Sequence, residues 1–175
     1  MGIFQLNHAV LFVRDLDESV RFYSDVLGFR PVDMGGLRGA AFLKAPESTN
    51  DHDLGLFEVP DAAASGAGRT TVGLYHLAWE VDTLDELERV GRRLAEVGAL
   101  GGMSDHGTTK SLYGRDPNGL EFEVVWIIPA DLLTDADRQK SARISPLDLR
   151  REIERFGGQT RGGVGVSHAA PVVAG

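Results

Sequence analysis

Two stretches of this chain repeat one another at a fixed offset of 68 residues. Leu6 falls on Leu74, His8 on His76, Val13 on Val81, Leu16 on Leu84, Asp17 on Asp85 and Glu18 on Glu86. Each copy reads as a strand, a helix and three further strands. In the first, residues 5–13 form an apolar strand with His8, Val10 and Phe12 on one face. Asp15 caps a helix, with Glu18 in capping-box spacing, and Gly28 ends it. Leu16, Val20, Tyr23 and Leu27 give that helix its apolar stripe. Strands are expected at 29–33, 37–44 and 52–59. In the second copy, LYHLAWEV is the first strand, with His76, Ala78 and Glu80 on one face. Thr83 caps the helix, whose stripe is Leu84, Leu87, Val90, Gly91, Leu94 and Val97, and Gly98 ends it. Strands are expected at 99–103, 108–114 and 120–128. A βαβββ unit leaves one sheet face uncovered, so two must pack or pair to bury a core.

The expected fold is therefore α+β: two tandem βαβββ modules, about 4–60 and 73–129, within one domain over 1–129. Residues 60–73, PDAAASGAGRTTVG, read as a linker. After Pro129 the pattern stops, and 130–175 is an extension. A turn of helix fits within 131–144, a helix fits about 145–156 on Leu147, Leu149, Ile153 and Phe156, and the rest has the composition of a flexible tail.

The last two strands of the second module meet at Asp116-Pro117-Asn118-Gly119, where proline presets one residue and Asn and Gly tolerate positive φ. The returning strand alternates Glu121, Phe122, Glu123, Val124, Val125, Trp126. A carboxylate amid apolar strand residues is costly to bury unless something pairs with it. A metal ion is one such partner. His8, His76 and Glu123 form a two-histidine, one-carboxylate set, the arrangement that holds non-haem Fe(II) in oxygenases. Each module also has an acid in its last strand, Glu58 lying 65 residues before Glu123.

Composition narrows the function classes. The chain contains no cysteine, which excludes disulfides, thiolate metal sites and thiol nucleophiles. Net charge is −8, and residues 1–129 carry 20 acidic against 11 basic side chains. That acidity argues against nucleic acid as a partner. The N-terminus lacks a basic n-region and no stretch is long and apolar enough to span a bilayer, so a cytoplasmic location is expected.

Over residues 4–128 the sequence resembles the vicinal oxygen chelate superfamily, which contains glyoxalase I, bleomycin-resistance proteins and type I extradiol dioxygenases. DPNGLEFEV looks like that superfamily's DP-x-G-x-x-x-E strand, with Glu123 in the metal-ligand place. The resemblance implies paired modules forming a cupped mixed sheet around a divalent metal. The match is nearest to the ring-cleaving dioxygenases, which use a His-His-Glu iron triad. It implies a distal acid/base histidine, here His52 in HDLGLF, and a substrate-binding tyrosine ten residues before the metal glutamate, here Tyr113 in SLY. A further histidine precedes that tyrosine in the family, and His106 is the nearest counterpart, with spacing that departs by a couple of residues. The implied activity is O₂-dependent cleavage of a catechol, with Fe(II), or Mn(II), at His8, His76 and Glu123. Two alternatives stay open. Glyoxalase I-like lyases, isomerases and epimerases use a four-ligand His-Glu-His-Glu site for Ni(II) or Zn(II), in which Glu58 is the possible fourth ligand. A non-enzymatic small-molecule-binding resistance protein is the other. The apolar outer residues Leu77, Trp79, Phe122 and Trp126 need a cover beyond what the helices give, for which a homodimer is expected.

Overall fold

The computed structural model describes residues 2–3, 5–66, 71–141 and 143–163. The middle of the Gly-rich linker, 67–70, and residues 164–175 of the expected flexible tail lie outside the described residues. The chain divides into two units, one of residues 1–73 with 116–120 and the other of 74–115 with 121–175.

The first unit runs β1 (Ala9–Val13), α1 (Leu16–Asp25), β2 (Arg30–Val32), β3 (Ala40–Lys44) and β4 (Leu54–Glu58). Its sheet has the order β1-β4-β3-β2, with β1 parallel to β4 and the other pairs antiparallel. Helix α1 begins where Asp15 Oδ1 accepts the Glu18 N–H at 2.7 Å, and the chain leaves it through Gly28 at φ +83°. Leu11, Val13, Tyr23, Val26, Phe29, Leu43, Leu54 and Leu56 are buried together, and each large apolar side chain so covered contributes about 1.5–3 kcal/mol. The opposite face of β1 carries Val10 and Phe12, both exposed. The strand expected over 5–13 is shorter than its apolar run. Its ladder starts at Ala9, which pairs with Leu54 and donates to Asp53 O at 2.9 Å, and residues 5–8 are not strand. His8 thus stands one residue before β1.

The turn at 116–120 belongs to this unit. Asp116 Oδ1 accepts the N–H groups of Asn118 and Leu120, and Gly119 supplies φ +82°. Asn118 Oδ1 accepts the Arg14 N–H at 2.8 Å and its amide donates to Ser19 Oγ at 3.1 Å, beside α1. Tyr23 donates its hydroxyl to Asp116 Oδ2 at 3.2 Å. Burial first, then the charge and hydrogen bond of Asp116, hold that phenol well above its ordinary range.

The second unit runs β5 (His76–Glu80), α2 (Leu84–Glu96), β6 (Leu100–Asp105), β7 (Thr109–Arg115) and β8 (Glu121–Ile127), then α3 (Asp135–Lys140), β9 (Ser145–Pro146) and α4 (Leu149–Phe156). Sheet order is β5-β8-β7-β6-β9, with β5 parallel to β8. Thr83 caps α2 by accepting the Glu86 N–H at 3.2 Å. Leu84, Leu87, Val90 and Leu94 are fully buried, whereas Val97 is exposed past the helix end. Gly91 is on the same stripe for a steric reason, because a Cβ there would stand 3.3 Å from Leu112. The mixed α+β architecture of two βαβββ modules is thus as expected.

The extension differs from expectation at its helix. Residues Ser145–Pro146 are strand, pairing with Ser104 and Asp105, and α4 starts only after Asp148, which accepts the Arg151 N–H at 3.1 Å. Proline lacks the N–H and sits in the edge strand, and Asp148 is the better cap. The extension also covers Trp126, which is fully buried. Its indole lies 5.4 Å from the Phe156 ring and donates Nε1–H to Thr160 O at 3.2 Å. Phe122 is buried as well, so two of the four residues thought to need a partner are covered within the unit. Among the described residues no helix is long and apolar enough to cross a membrane.

Candidate active site

In the second unit, register and pleat decide which side chains meet. Ala78 of β5 lies opposite Glu123 of β8, and His76 shares the face of Ala78. His76 Nε2 accordingly stands 3.2 Å from Glu123 Oε2. Across the antiparallel β7–β8 pair, Tyr113 is the direct partner of Glu123 and donates its hydroxyl to Oε1 at 3.3 Å. His106, in the turn after β6, places Nε2 2.8 Å from the same hydroxyl. Because the phenol has one proton and gives it to Glu123, the contact to His106 has Nε2–H as donor. The result is a half-buried chain of four, His106–Tyr113–Glu123–His76. Burial first, then the charge of Glu123 and the hydrogen bond to it, push the Tyr113 phenol up to about 12.

In the first unit, Asp53 ties down the loop that carries His52. Its carboxylate accepts from Ala45 N at 2.8 Å, Ser48 Oγ at 2.7 Å and Asn50 Nδ2 at 2.7 Å. Asn50 in turn donates to Asn7 O at 2.7 Å, beside His8. These bonds bring the two imidazoles together, with ring centroids 4.5 Å apart. His8 is exposed and its Nδ1 lies 2.8 Å from Asn7 Oδ1. His52 rests edge-on against Phe42 at 5.0 Å, and its buried Nδ1 has no hydrogen-bond partner. Among the described residues neither Asp51 nor Asp53 is hydrogen-bonded to that nitrogen.

Glu58 is placed differently. Paired with Val13, it is on the face of Ala9, Leu11 and Val13, opposite to the side of Val10 and Phe12. Its Oε1 accepts the Leu16 N–H at 3.1 Å, at the first turn of α1. The offset of 65 that linked it to Glu123 is not the structural one. Val10 opposite Gly55 corresponds to Ala78 opposite Glu123, so the last strands also repeat at 68 and Gly55 stands where Glu123 does. Glu58 corresponds to Trp126, and the reading of one acid per module at equivalent strand positions is corrected.

Two donors bound at right angles to one divalent ion with bonds of about 2.1 Å lie about 3.0 Å apart. The 3.2 Å between His76 Nε2 and Glu123 Oε2 fits that spacing, and imidazole with carboxylate suits iron, manganese or zinc. Among the described residues no set of three or more His, Asp or Glu is grouped as a metal cage. Within the second unit, His76 and Glu123 form a two-donor set.

Sequence reasoning missed Lys110 and Glu152. Lys110 is fully buried, with its ammonium 2.5 Å from Asp105 Oδ1 and 3.2 Å from Glu152 Oε2. The signal for Glu152 was available: it lies three residues after Leu149 and four before Phe156, on the apolar face of α4.

The sequence profile of the Glyoxalase/Bleomycin resistance protein/Dioxygenase superfamily matches residues 5–124. The chain is 34% identical over 121 residues to the biphenyl-2,3-diol 1,2-dioxygenase 3 of Rhodococcus globerulus, covering 69% of this chain and 62% of that one. It is 31% identical over 126 residues to a lactoylglutathione lyase of Neisseria meningitidis, covering 69% and 89%. Of the Bacillus subtilis catechol-2,3-dioxygenase, which it matches at 31% over 121 residues and 68% of this chain, it spans only 40%. The chain thus spans less than two thirds of the length of these dioxygenases. Among solved structures, a glyoxylase/bleomycin resistance protein/dioxygenase domain from Frankia sp. EAN1pec superposes with a TM-score of 0.59 at 25% identity, over 71% of this chain and 92% of that one. The chain belongs to the Glyoxalase/Bleomycin resistance protein/Dioxygenase superfamily.

Proposed function

We propose that the chain is a metal-dependent extradiol-type dioxygenase, cleaving the ring of a catechol-like substrate beside its diol with incorporation of both atoms of O₂. The observation that carries this reading is the chain His106–Tyr113–Glu123–His76, in which a phenol is held between an imidazole and a ligand carboxylate. A lyase has no evident use for that phenol. In this reading Fe(II), with Mn(II) the alternative, is held by His8, His76 and Glu123, and His52 is the acid/base. The metal, when bound, supplies Lewis acidity toward the diol oxygens and electron exchange with O₂.

The side chains do the rest. Tyr113, kept neutral by its raised pKa, has one proton, given to Glu123 in the substrate-free site and turned to a deprotonated diol oxygen when substrate is bound. His106 Nε2–H, donating to the phenol oxygen, holds Tyr113 in place. His52 accepts one substrate proton through a ring nitrogen and returns one to the departing oxygen, a role imidazole suits near neutral pH.

The runner-up is a four-ligand lyase or isomerase with Ni(II) or Zn(II), favoured by the lactoylglutathione lyase relative, 89% of whose length this chain covers. It requires Glu58 at the metal, and the bond from Leu16 N–H together with its face of β4 speaks against that. A cytoplasmic location and a homodimer belong to the same proposal, and light scattering showing a monomer at micromolar concentration would end the dimer.

The deciding experiment adds a panel of catechols to Fe(II)-loaded protein under air, following oxygen uptake and the visible absorbance of a yellow semialdehyde. His52→Ala is expected to lose at least about a hundredfold in rate while retaining metal. No oxygen uptake with any catechol, together with isomerisation of a hemithioacetal, would replace this reading by the runner-up.

A further inference from the structure

We propose that the C-terminal extension positions the His106–Tyr113 pair through a buried ion network, making Lys110 and Glu152 positioning residues of the site. The inference rests on the reading of His106 and Tyr113 given above. It concerns residues 134–156, beyond the 5–124 matched by the superfamily.

His106 is carried on a tight turn between β6 and β7, closed by His106 N–H to Thr109 O at 3.0 Å. Gly107, the next residue, has φ +79° and its N–H bonds Asp105 Oδ1 at 2.8 Å. The extension is packed against this turn with no slack. A Cβ on Gly107 would lie 2.3 Å from Asp137 O and 2.8 Å from Ser141 N, so the backbone of α3 rests directly on the glycine. Strand β9 pairs with Ser104 and Asp105, and Ser145 Oγ donates to Asp105 O at 3.3 Å. Both neighbours of His106 are therefore touched by the extension.

Lys110 connects the turn to α4. It points to the face of β7 opposite Tyr113, where water does not reach. Its ammonium meets the Asp105 carboxylate at 2.5 Å and the Gly107 carbonyl at 3.4 Å. Glu152 Oε2 lies 3.2 Å away, an ion-pair contact not aligned as a hydrogen bond. Arg155, 3.7 Å from Glu152 Oε2, forks onto Asp137 with bonds of 2.8 and 2.6 Å. The network thus runs Asp105–Lys110–Glu152–Arg155–Asp137, joining α3 and α4 to the two ends of the turn. A fully buried ammonium must keep its counter-charges close, so removing Glu152 obliges Lys110 and Asp105 to rearrange. His106, adjacent to Asp105, moves with them, and its 2.8 Å contact to Tyr113 is what such a shift alters.

The experiment compares full-length Glu152→Gln with the unaltered protein by NMR of ¹⁵N-histidine-labelled samples, metal-free and metal-loaded, with the His106 ring signals assigned through His106→Gln. Circular dichroism and metal content establish that the variant is folded and loaded. The His106 ring resonances are expected to shift, and kcat on a catechol to fall at least about tenfold with little change in KM, as displacement of a catalytic group does. Arg150→Gln, on the same helix in an exposed pair with Glu154, leaves both readouts unchanged. His106 signals that coincide in Glu152→Gln and the unaltered protein overturn the proposal. Should Glu152→Gln not fold, Arg155→Lys keeps the charge but loses the fork, and the same His106 comparison decides. If no catechol consumes oxygen, the dioxygenase reading fails, while the NMR comparison still tests the positioning.

Discussion

Gly55 and Glu123 hold the same place in their modules, opposite Val10 in one and Ala78 in the other. One is bare and the other carries a carboxylate, so the duplicated sheet is chemically one-sided. Phe42 and Tyr113 make the same contrast: each is the strand partner of that position, and only the second has a hydroxyl. A Cβ at Gly55 would rest in ordinary contact with Val10 at 3.4 Å and Phe42 at 3.5 Å, so this position of the first module has apolar neighbours where Glu123 has Tyr113. The acid of the first module, Glu58, serves α1 instead.

Glu58→Gln is therefore expected to leave metal stoichiometry unchanged in elemental analysis. A carboxylate at a helix N-terminus contributes roughly 0.3–1 kcal/mol, and the variant should lose stability of that order in thermal unfolding. A clear loss of bound metal would return Glu58 to the ligand set.

His76→Ala should abolish metal retention. It removes one of the two donors that stand 3.2 Å apart and leaves Glu123 with Tyr113 alone. Stoichiometric metal in the purified variant would contradict the proposed triad. Tyr113→Phe should keep the metal in elemental analysis and slow oxygen uptake, since in the proposed site the phenol is a donor beside Glu123 rather than a ligand itself.

Much of this was legible because the period-2 pattern and the caps were explicit. Asp15 and Thr83 each start a helix as their spacing to Glu18 and Glu86 implied. The alternation set His76 on the face of Ala78 in β5 and Glu123 on the face opposite Phe122 and Val124 in β8. Cross-strand register was not legible, because a sequence offset tolerates gaps that a hydrogen-bonded ladder does not, and Glu58 was misaligned for that reason. The ion network was hidden by a different rule. Lys110 alone reads as surface and Glu152 shows no more than its place on the apolar face of α4, and only the fold shows that they neutralise each other out of water. How Asp53 and Asn50 gather His8 and His52 was also out of reach, since it depends on loop hydrogen bonds with no periodicity.

Tyr113 gives a test at high pH. Its folded pKa, about 12, exceeds the ordinary 10.0, so the folded state holds the proton more tightly than the unfolded chain. The associated stability is fully present below pH 10 and is lost as pH rises through about 12. Tyrosinate absorbance of the metal-free protein should show one phenol ionising in that late range, and Tyr113→Phe should remove it. Tyr23, also raised by burial, gives a second late signal that persists in the variant.

Asp137 gives the converse test in acid. The Arg155 fork comes first among the causes that hold its carboxyl well below the ordinary 3.8, with the Thr134 bonds adding to it and burial opposing. A depressed carboxylate contributes stability that is present above the unfolded value and is lost as pH falls through the folded one. Asp137→Asn should therefore flatten the dependence of stability on pH below about 4, measured by urea unfolding at a series of acidic pH values. Arg155→Ala should cost more at neutral pH, roughly 3 kcal/mol, because it leaves a fully buried carboxylate without its cation. Equal stability of Arg155→Ala and the unaltered protein would show that the fork contributes nothing to holding the extension, and with it that α3 and α4 are held to the sheet by apolar contacts such as Phe156 on Trp126.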